Sequence, residues 1–163
     1  MTLIRPARPS DATGICAVLN PIIQETTITF SPQPVTPSDV KDGVANHAQR
    51  GDPYLVAEDS GAVVGYAKYG PFRSGLGYAQ TVELTVHIAS TLRGRGLGRT
   101  LVTALEDHAR AAQVHSMIAG ISAENPQAIA FHKKLGFSQV GLIPRAGHKF
   151  ERYIDLMLMQ KFV

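Results

Sequence analysis

A single α/β domain, with a central mixed, twisted sheet flanked by helices, is the fold class this sequence predicts. Three observations carry that expectation. Strand-like and helix-like runs alternate along the chain in the order β-α-α-β-β-β-α-β-α-β-β. The apolar pattern switches between helical spacing, as at Leu97, Leu101, Leu105 and His108 or Ala109, and short apolar runs of strand length, as in Ser116 to Ser122. No repeat, low-complexity tract or linker divides the 163 residues, and that length is enough to bury one real core.

Each element has a local reason. Leu3 to Ala7 reads as an edge strand ended by Pro9, and Ser10 as the cap of a helix whose Ala12, Ile15, Cys16 and Leu19 form one apolar face. Cys16 lies on that face and reads as core, not as a nucleophile. Gln24 to Pro37 is irregular, with three prolines, threonines at 26, 27 and 29, and Phe30 expected to be exposed in its middle. Such a loop is either a connector or a substrate wall. Ser38 is expected to cap a second helix running to about Gln49. Tyr54 to Glu58 and Val63 to Tyr69 read as a hairpin around Asp59-Ser60-Gly61, broken off by Gly70-Pro71. Tyr78 to Ile88 follows as a long strand. Leu97 to Ala112 is the best helix, with Glu106 and Arg110 placed for an i, i+4 ion pair. After the buried strand Ser116 to Ser122, Asn125-Pro126 opens a helix with proline at its first position, ending at Leu135-Gly136. Phe137 to Ile143 and Arg152 to Gln160 close the sheet.

Composition narrows the partners. No apolar run approaches a membrane span. No signal peptide is read at the N-terminus, and the lone Cys16 cannot form an internal disulfide, so a cytoplasmic setting is expected. The net charge of +3 is modest, yet Arg73, Arg93, Arg95 and Arg99 fall in one short region. An anionic small molecule explains that clustering better than nucleic acid does. No basic run is interleaved with aromatics, and no tryptophan is present to stack a base. No metal site is expected.

The densest signal is Leu92-Arg93-Gly94-Arg95-Gly96-Leu97-Gly98-Arg99, between a strand and a helix. Glycines let backbone approach a phosphate closely. The free N–H groups of the first helical turn then face the anion, aided by the helix dipole. A P-loop would end in Gly-Lys-Ser/Thr, whereas Gly98 is followed by Arg99-Thr100. A dinucleotide fingerprint needs G-x-G-x-x-G, whereas this loop runs G-x-G-x-G, with no acidic residue at ribose distance.

What remains, Arg93-x-x-Gly96-x-Gly98, resembles the acyl-CoA pyrophosphate signature of the GNAT family of N-acetyltransferases. The alternative for this loop by itself is a glycine-rich turn with solvated arginines. Two more motifs fit the family in the right order: Val86-His87-Ile88 before the loop, and Asn125 followed by Phe131-His132-Lys133-Lys134-Leu135-Gly136-Phe137. Thr81-Val82-Glu83, His132 in place of a tyrosine, and Gly147-x-Lys149-Phe150 with Asp155-Leu156 resemble the phosphinothricin and methionine sulfoximine N-acetyltransferase subgroup. The likeness runs from Ile4 to Gln160 and is weakest in Gln33 to Gly51.

The resemblance implies acetyl-CoA as donor and the GNAT domain as fold. It implies cofactor contacts from Val86, His87, Ile88, Arg93, Gly94, Arg95, Gly96, Leu97, Gly98, Arg99, Asn125 and Lys134. It assigns the acceptor side to Phe30, Phe72, Arg73, Val82, Glu83, Lys149 and Phe150. It also implies a homodimer. Acetyl transfer to an amine needs positioning, loss of a proton, a stabilised oxyanion and a departing thiolate, and positioning alone lowers the barrier by roughly 7 kcal/mol or more. Glu83 is the candidate base, acting through water; otherwise it is a strand glutamate facing solvent. His132 reads as a thiol-side acid or pantetheine contact, or as a satisfied helix-flank histidine. Arg73 could fork a substrate carboxylate. Lys149 and Phe150 have surface-charge and packing alternatives. The acceptor reading is a small amino-acid-like amine such as methionine sulfoximine, methionine sulfone or phosphinothricin. The competing readings are a protein N-terminus or lysine, a non-catalytic acetyl-CoA-binding module, and a basic nucleic-acid-binding domain.

Overall fold

Strand alternation builds the frame. The computed structural model describes residues 1–163. Its strands are β1 (Thr2–Pro6), β2 (Tyr54–Asp59), β3 (Ala62–Pro71), β4 (Thr81–Ile88), β5 (Ser116–Ser122), β6 (Ser138–Lys149) and β7 (Arg152–Phe162). They form one seven-stranded sheet in the order β1-β2-β3-β4-β5-β7-β6. All neighbours are antiparallel except β4 and β5. The α/β expectation is met, with the helices α1 (Ala12–Glu25), α2 (Pro37–Arg50), α3 (Leu97–Ala111) and α4 (Pro126–Lys134) flanking the sheet.

Two apolar layers result. On one face Val82, Leu84, Met117, Ala119 and Ile121 pack under Leu101, Val102 and Leu105 of α3. On the other, Val56, Tyr54 and Tyr66 pack under Ile15, Cys16 and Val18 of α1 and Val40 and Val44 of α2. Cys16 is buried and unpaired, as its helical spacing predicts. Burying these side chains is the main favourable term in folding, roughly 1.5–3 kcal/mol for each large apolar one.

The one parallel pair positions the site. β4 pairs with β5 only from Thr81 to Leu84, opposite Ser116 to Ala119. Beyond that point β4 runs on to Ile88 beside β3, and β5 runs on to Ser122 beside β7. The two strands therefore diverge, leaving a wedge in the middle of the sheet. The Phe72 N–H bonds the Thr81 carbonyl, and the Ala89 N–H bonds the Val64 carbonyl. Odd-numbered residues of β4 thus turn their amide groups toward β3. By alternation, the N–H and C=O of Val86 and Ile88 open into the wedge.

Several boundaries differ from expectation. Ser10 lies in a 3₁₀ turn, Pro9–Asp11, and caps nothing; Asp11, at the start of α1, accepts instead from the Arg8 N–H at 2.7 Å and pairs with Arg5. Thr36, not Ser38, caps α2: its Oγ1 accepts from the Asp39 N–H, and the Asp39 carboxylate accepts from the Thr36 N–H in return. Pro37 occupies the first turn, where its missing N–H costs nothing. Gly70-Pro71 does not stop β3, which pairs through Pro71 with Val82. Tyr78 belongs to a 3₁₀ turn, so β4 begins at Thr81. β6 and β7 are longer than their apolar runs and meet in a two-residue turn, Phe150-Glu151, with both φ near +55°.

Candidate active site

The Gly-rich loop is shaped by two kinds of glycine. Gly94 and Gly96 have φ of 79° and 83°, left-handed conformations that other side chains resist. Gly98 is needed for closeness: a Cβ there would lie 3.1 Å from Cζ of Phe131. Gly96 ends the loop and opens α3, whose first intrahelical bond is from the Thr100 N–H to the Gly96 carbonyl. The N–H groups of Leu97, Gly98 and Arg99 are therefore left free at the positive end of the helix. The Arg93 side chain is tethered to the Ile88 carbonyl by its Nε, at 3.3 Å.

These elements line a cavity of about 460 Å³. Val86, His87, Ile88, Arg93, Gly94, Gly96, Leu97, Gly98, Arg99, Asn125 and Lys134 all border it. Arg95 does not; it is exposed on the outer side of the loop. Ile28, Leu92, Gln127, Ala128 and Phe131 complete the wall; Leu92 and Phe131 fall inside the motifs read from the sequence, but none of the five was expected as a contact. Ala128 lies one helical turn before His132 on α4 and Phe131 is its immediate neighbour, so both could have been read from the spacing around that residue. Asn125 has two tasks. Its Oδ1 accepts from the Ala128 N–H at 3.1 Å and caps α4, while its side-chain N–H groups stay free toward the cavity.

A second cavity, of about 360 Å³, opens on the other side of the wedge. Val86, His87, Asn125, Ala128, His132 and Ile28 border both cavities, so the two meet at the β4–β5 divergence. Glu83 projects into the second cavity over Gly120, where a Cβ would stand 3.0 Å from its Oε1. Its carboxylate makes no hydrogen bond to protein. Partial removal from water raises its pKa above the ordinary carboxylate value. Phe30 also lines this cavity, but it is half-buried against Gly147 rather than exposed.

His132 is 5% exposed and wedged between the rings of Phe131 and Phe137. Its Nδ1 lies 2.8 Å from the Ala128 carbonyl oxygen. A carbonyl only accepts, so Nδ1 carries the proton, and Nε2 of the neutral ring presents a lone pair. Burial lowers the pKa below 6.5 and keeps the ring neutral. In this form His132 accepts a proton before it can donate one. His87, packed edge-on against Tyr66, is held down to about 4 by burial and by the charges of Lys68 and Arg93.

Five acceptor-side residues do not border the second cavity. Val82 is buried in the core beneath α3, because β4 alternates and only its odd positions face Glu83's side. Phe72 and Arg73 lie past the end of β3, the guanidinium stacked 5.4 Å from its neighbour's ring. Phe150 is exposed at the hairpin turn. Lys149 is 3% exposed, and its Nζ donates to the carbonyls of Thr26 and Thr29. In their place stand Thr29, Thr85, Gly120, Ile121, Ser122 and Leu156. These are ordinary strand and loop residues made into a wall only by the divergence of the sheet.

A helix start with free N–H groups, an open strand edge and a neighbouring cavity with an isolated carboxylate fit one class of protein, an acyl transferase. The Acetyltransferase (GNAT) family matches residues 20–137, and the chain belongs to that family. The L-methionine sulfoximine/L-methionine sulfone acetyltransferase of Pseudomonas aeruginosa is 40% identical over 158 residues, covering 96% of this chain and 92% of that one. A ribosomal-protein-alanine N-acetyltransferase structure from Brucella melitensis superposes with a TM-score of 0.95 at 41% identity, covering 99% of both chains. A phosphinothricin acetyltransferase from Sinorhizobium meliloti, solved in complex with acetyl-CoA, gives a TM-score of 0.94 at 30% identity, covering 99% of this chain and 88% of that one. The protein is an acetyltransferase enzyme. None of its helices is long and apolar enough to cross a membrane.

Proposed function

We propose that this enzyme transfers the acetyl group of acetyl-CoA directly to the primary amine of a small amino-acid-like substrate, of the methionine sulfoximine, methionine sulfone or phosphinothricin type. The observation that carries this reading is the meeting of the two cavities at Val86 and His132, with Glu83 alone on the acceptor side. A cavity of about 360 Å³ suits a single amino acid rather than a folded partner.

The pyrophosphate would sit on the free N–H groups of Leu97, Gly98 and Arg99, with Arg93, Arg99 and Lys134 as cations. The pantetheine arm would pair with the open backbone of Val86 and Ile88, as an added strand does. The thioester carbonyl then lies by Val86, whose N–H is the donor for the developing oxyanion. Glu83 accepts the ammonium proton through a water molecule, since a free amine is needed for attack. The nitrogen bonds to the carbonyl carbon, the C–S bond breaks, and CoA leaves as thiolate. His132 Nε2, an acceptor in the resting enzyme, takes the second nitrogen proton and returns it to that thiolate.

The Brucella neighbour's description favours a second acceptor, the α-amine of a polypeptide. The Ile28–Phe30 wall, which leaves an amino-acid-sized space, supports the smaller one. We read the chain as a homodimer, with exposed Val140, Leu142, Ile143 and Tyr153 on β6 and β7 as the contact surface, and as a cytoplasmic protein on its lone unpaired cysteine. Thiol release from acetyl-CoA should be followed with amino acids, their sulfoximine, sulfone and phosphinate analogues, and an alanine-initiated peptide. Turnover confined to the small amines is the expected result; turnover of the peptide alone would replace the reading with the second.

A further inference from the structure

Lys149 buries a positive charge that faces no carboxylate. Two of its donors are turned inward, and Nζ bonds the carbonyls of Thr26 at 2.7 Å and Thr29 at 2.8 Å. Thr26 is the residue that ends α1, so the cation also sits at the negative end of that helix. Two residues away on the same strand, Gly147 lies flat against Phe30: a Cβ would come within 2.6 Å of Cγ and Cε2 of the ring. Gly147 has no positive φ, so its glycine is explained by this close approach and not by backbone conformation. A break in register between Ile143 and Gly147 sets Gly147 opposite Ile154 and turns the end of β6 toward the loop. A third fastening comes from Glu124, which accepts from the Thr27 hydroxyl at 3.0 Å and is itself gripped by Arg152.

We propose that Lys149 and Gly147 are positioning residues that set acceptor selectivity, by strapping the Ile28–Phe30 wall of the acceptor cavity to the β6–β7 hairpin. Ile28, Thr29 and Phe30 have no regular secondary structure to hold them. Without the strap only their own turns and the Thr27–Glu124 bond would fix how far the Phe30 ring reaches into the cavity. The lysine touches no substrate; it spends its donors on the wall. This inference rests on the small-amine reading of the preceding section.

The test compares kcat and KM for acceptors of increasing side-chain length in wild type, Lys149→Met, Gly147→Ala, Phe30→Ala and the Gly147→Ala/Phe30→Ala double variant, with acetyl-CoA affinity measured by calorimetry. One methyl in or out of an apolar pocket changes discrimination by roughly tenfold or more. The ratio of kcat/KM for long over short acceptors should therefore move about tenfold in Gly147→Ala and in Lys149→Met, with the acetyl-CoA dissociation constant unchanged. In the Phe30→Ala background the added methyl has nothing to strike, so Gly147→Ala should have no further effect. An unchanged acceptor profile, additive effects of the Gly147 and Phe30 substitutions, or equal losses in acceptor and acetyl-CoA binding would each overturn the proposal. A wild type inert toward every small amine would defeat the small-amine reading and the strap together, whereas an active wild type with indifferent variants defeats the strap alone.

Discussion

Replacing Glu83 by glutamine separates charge from shape at the centre of the acceptor cavity. The carboxylate makes no hydrogen bond to protein and stands over Gly120 with no Cβ to meet, so an amide of the same size fits without loss of packing. The fold should be indifferent, and the whole effect should fall on proton removal. A positioned general base is worth roughly 10²–10⁴-fold. A base that works through an intervening water belongs at the lower end, so turnover should fall about 100-fold, or about 2.7 kcal/mol of barrier. The pH profile gives an independent reading. Glu83 acts only when ionised, and burial raises its pKa above 4.5; activity must fall as pH drops through that raised value. His132 acts only when neutral, and burial lowers its pKa below 6.5; activity must also fall as pH drops through that lowered value. The wild-type acid limb should thus be the product of two ionisations, and Glu83→Gln should leave one. Thiol release under saturating acetyl-CoA, from pH 4.5 to 8.5, measures both. A rate within about threefold of wild type, or an acid limb that keeps both ionisations, would refute the assignment of Glu83 as base.

Two further outcomes follow from the donor side. Arg93→Ala removes one charge-assisted bond to a phosphate, worth roughly 1.5–3 kcal/mol. Calorimetry should show acetyl-CoA binding weakened about ten- to a hundredfold and less sensitive to salt; an unaltered affinity would take Arg93 out of the cradle. His87 is held neutral with a pKa of about 4, against 6.5 when unfolded. Its contribution to stability is complete above pH 6.5 and is lost as pH falls toward 4, roughly 3 kcal/mol in all. Denaturant unfolding at pH 7 and pH 4.5 should show a smaller loss for His87→Gln than for wild type, and equal losses would contradict the burial of that ring.

The sequence was most legible where function depends on backbone freedom and local charge. Gly94 and Gly96 take left-handed conformations, and Arg93 and Arg99 set positive charge beside the same cavity; spacing alone told this loop from ATP and dinucleotide loops. Asn125 before Pro126 was readable as a helix start and turned out to serve cap and cavity together. Boundaries were less legible, because neighbouring polar residues compete for the same cap. Thr36 prevailed over Ser38 because Asp39 completes a reciprocal pair with it. The acceptor wall was the least legible. Val82 and Glu83 are adjacent in sequence yet face opposite sides of the sheet, and Lys149 reads as a surface cation until its two carbonyl partners, more than a hundred residues away, are in place.

By itself, then, the sequence determined the fold class, the glycine-shaped loop before α3 and the identity of the isolated acid, since each can be read from residues close together in the chain. Only the tertiary structure formed the second cavity, where we propose the acceptor binds. That cavity exists because β4 and β5 part after Leu84 and Ala119, and because a distant hairpin holds Phe30 in place. A divergence between strands and a contact across the sheet leave no periodic trace in the chain, because they depend on which elements become neighbours rather than on the residues beside them.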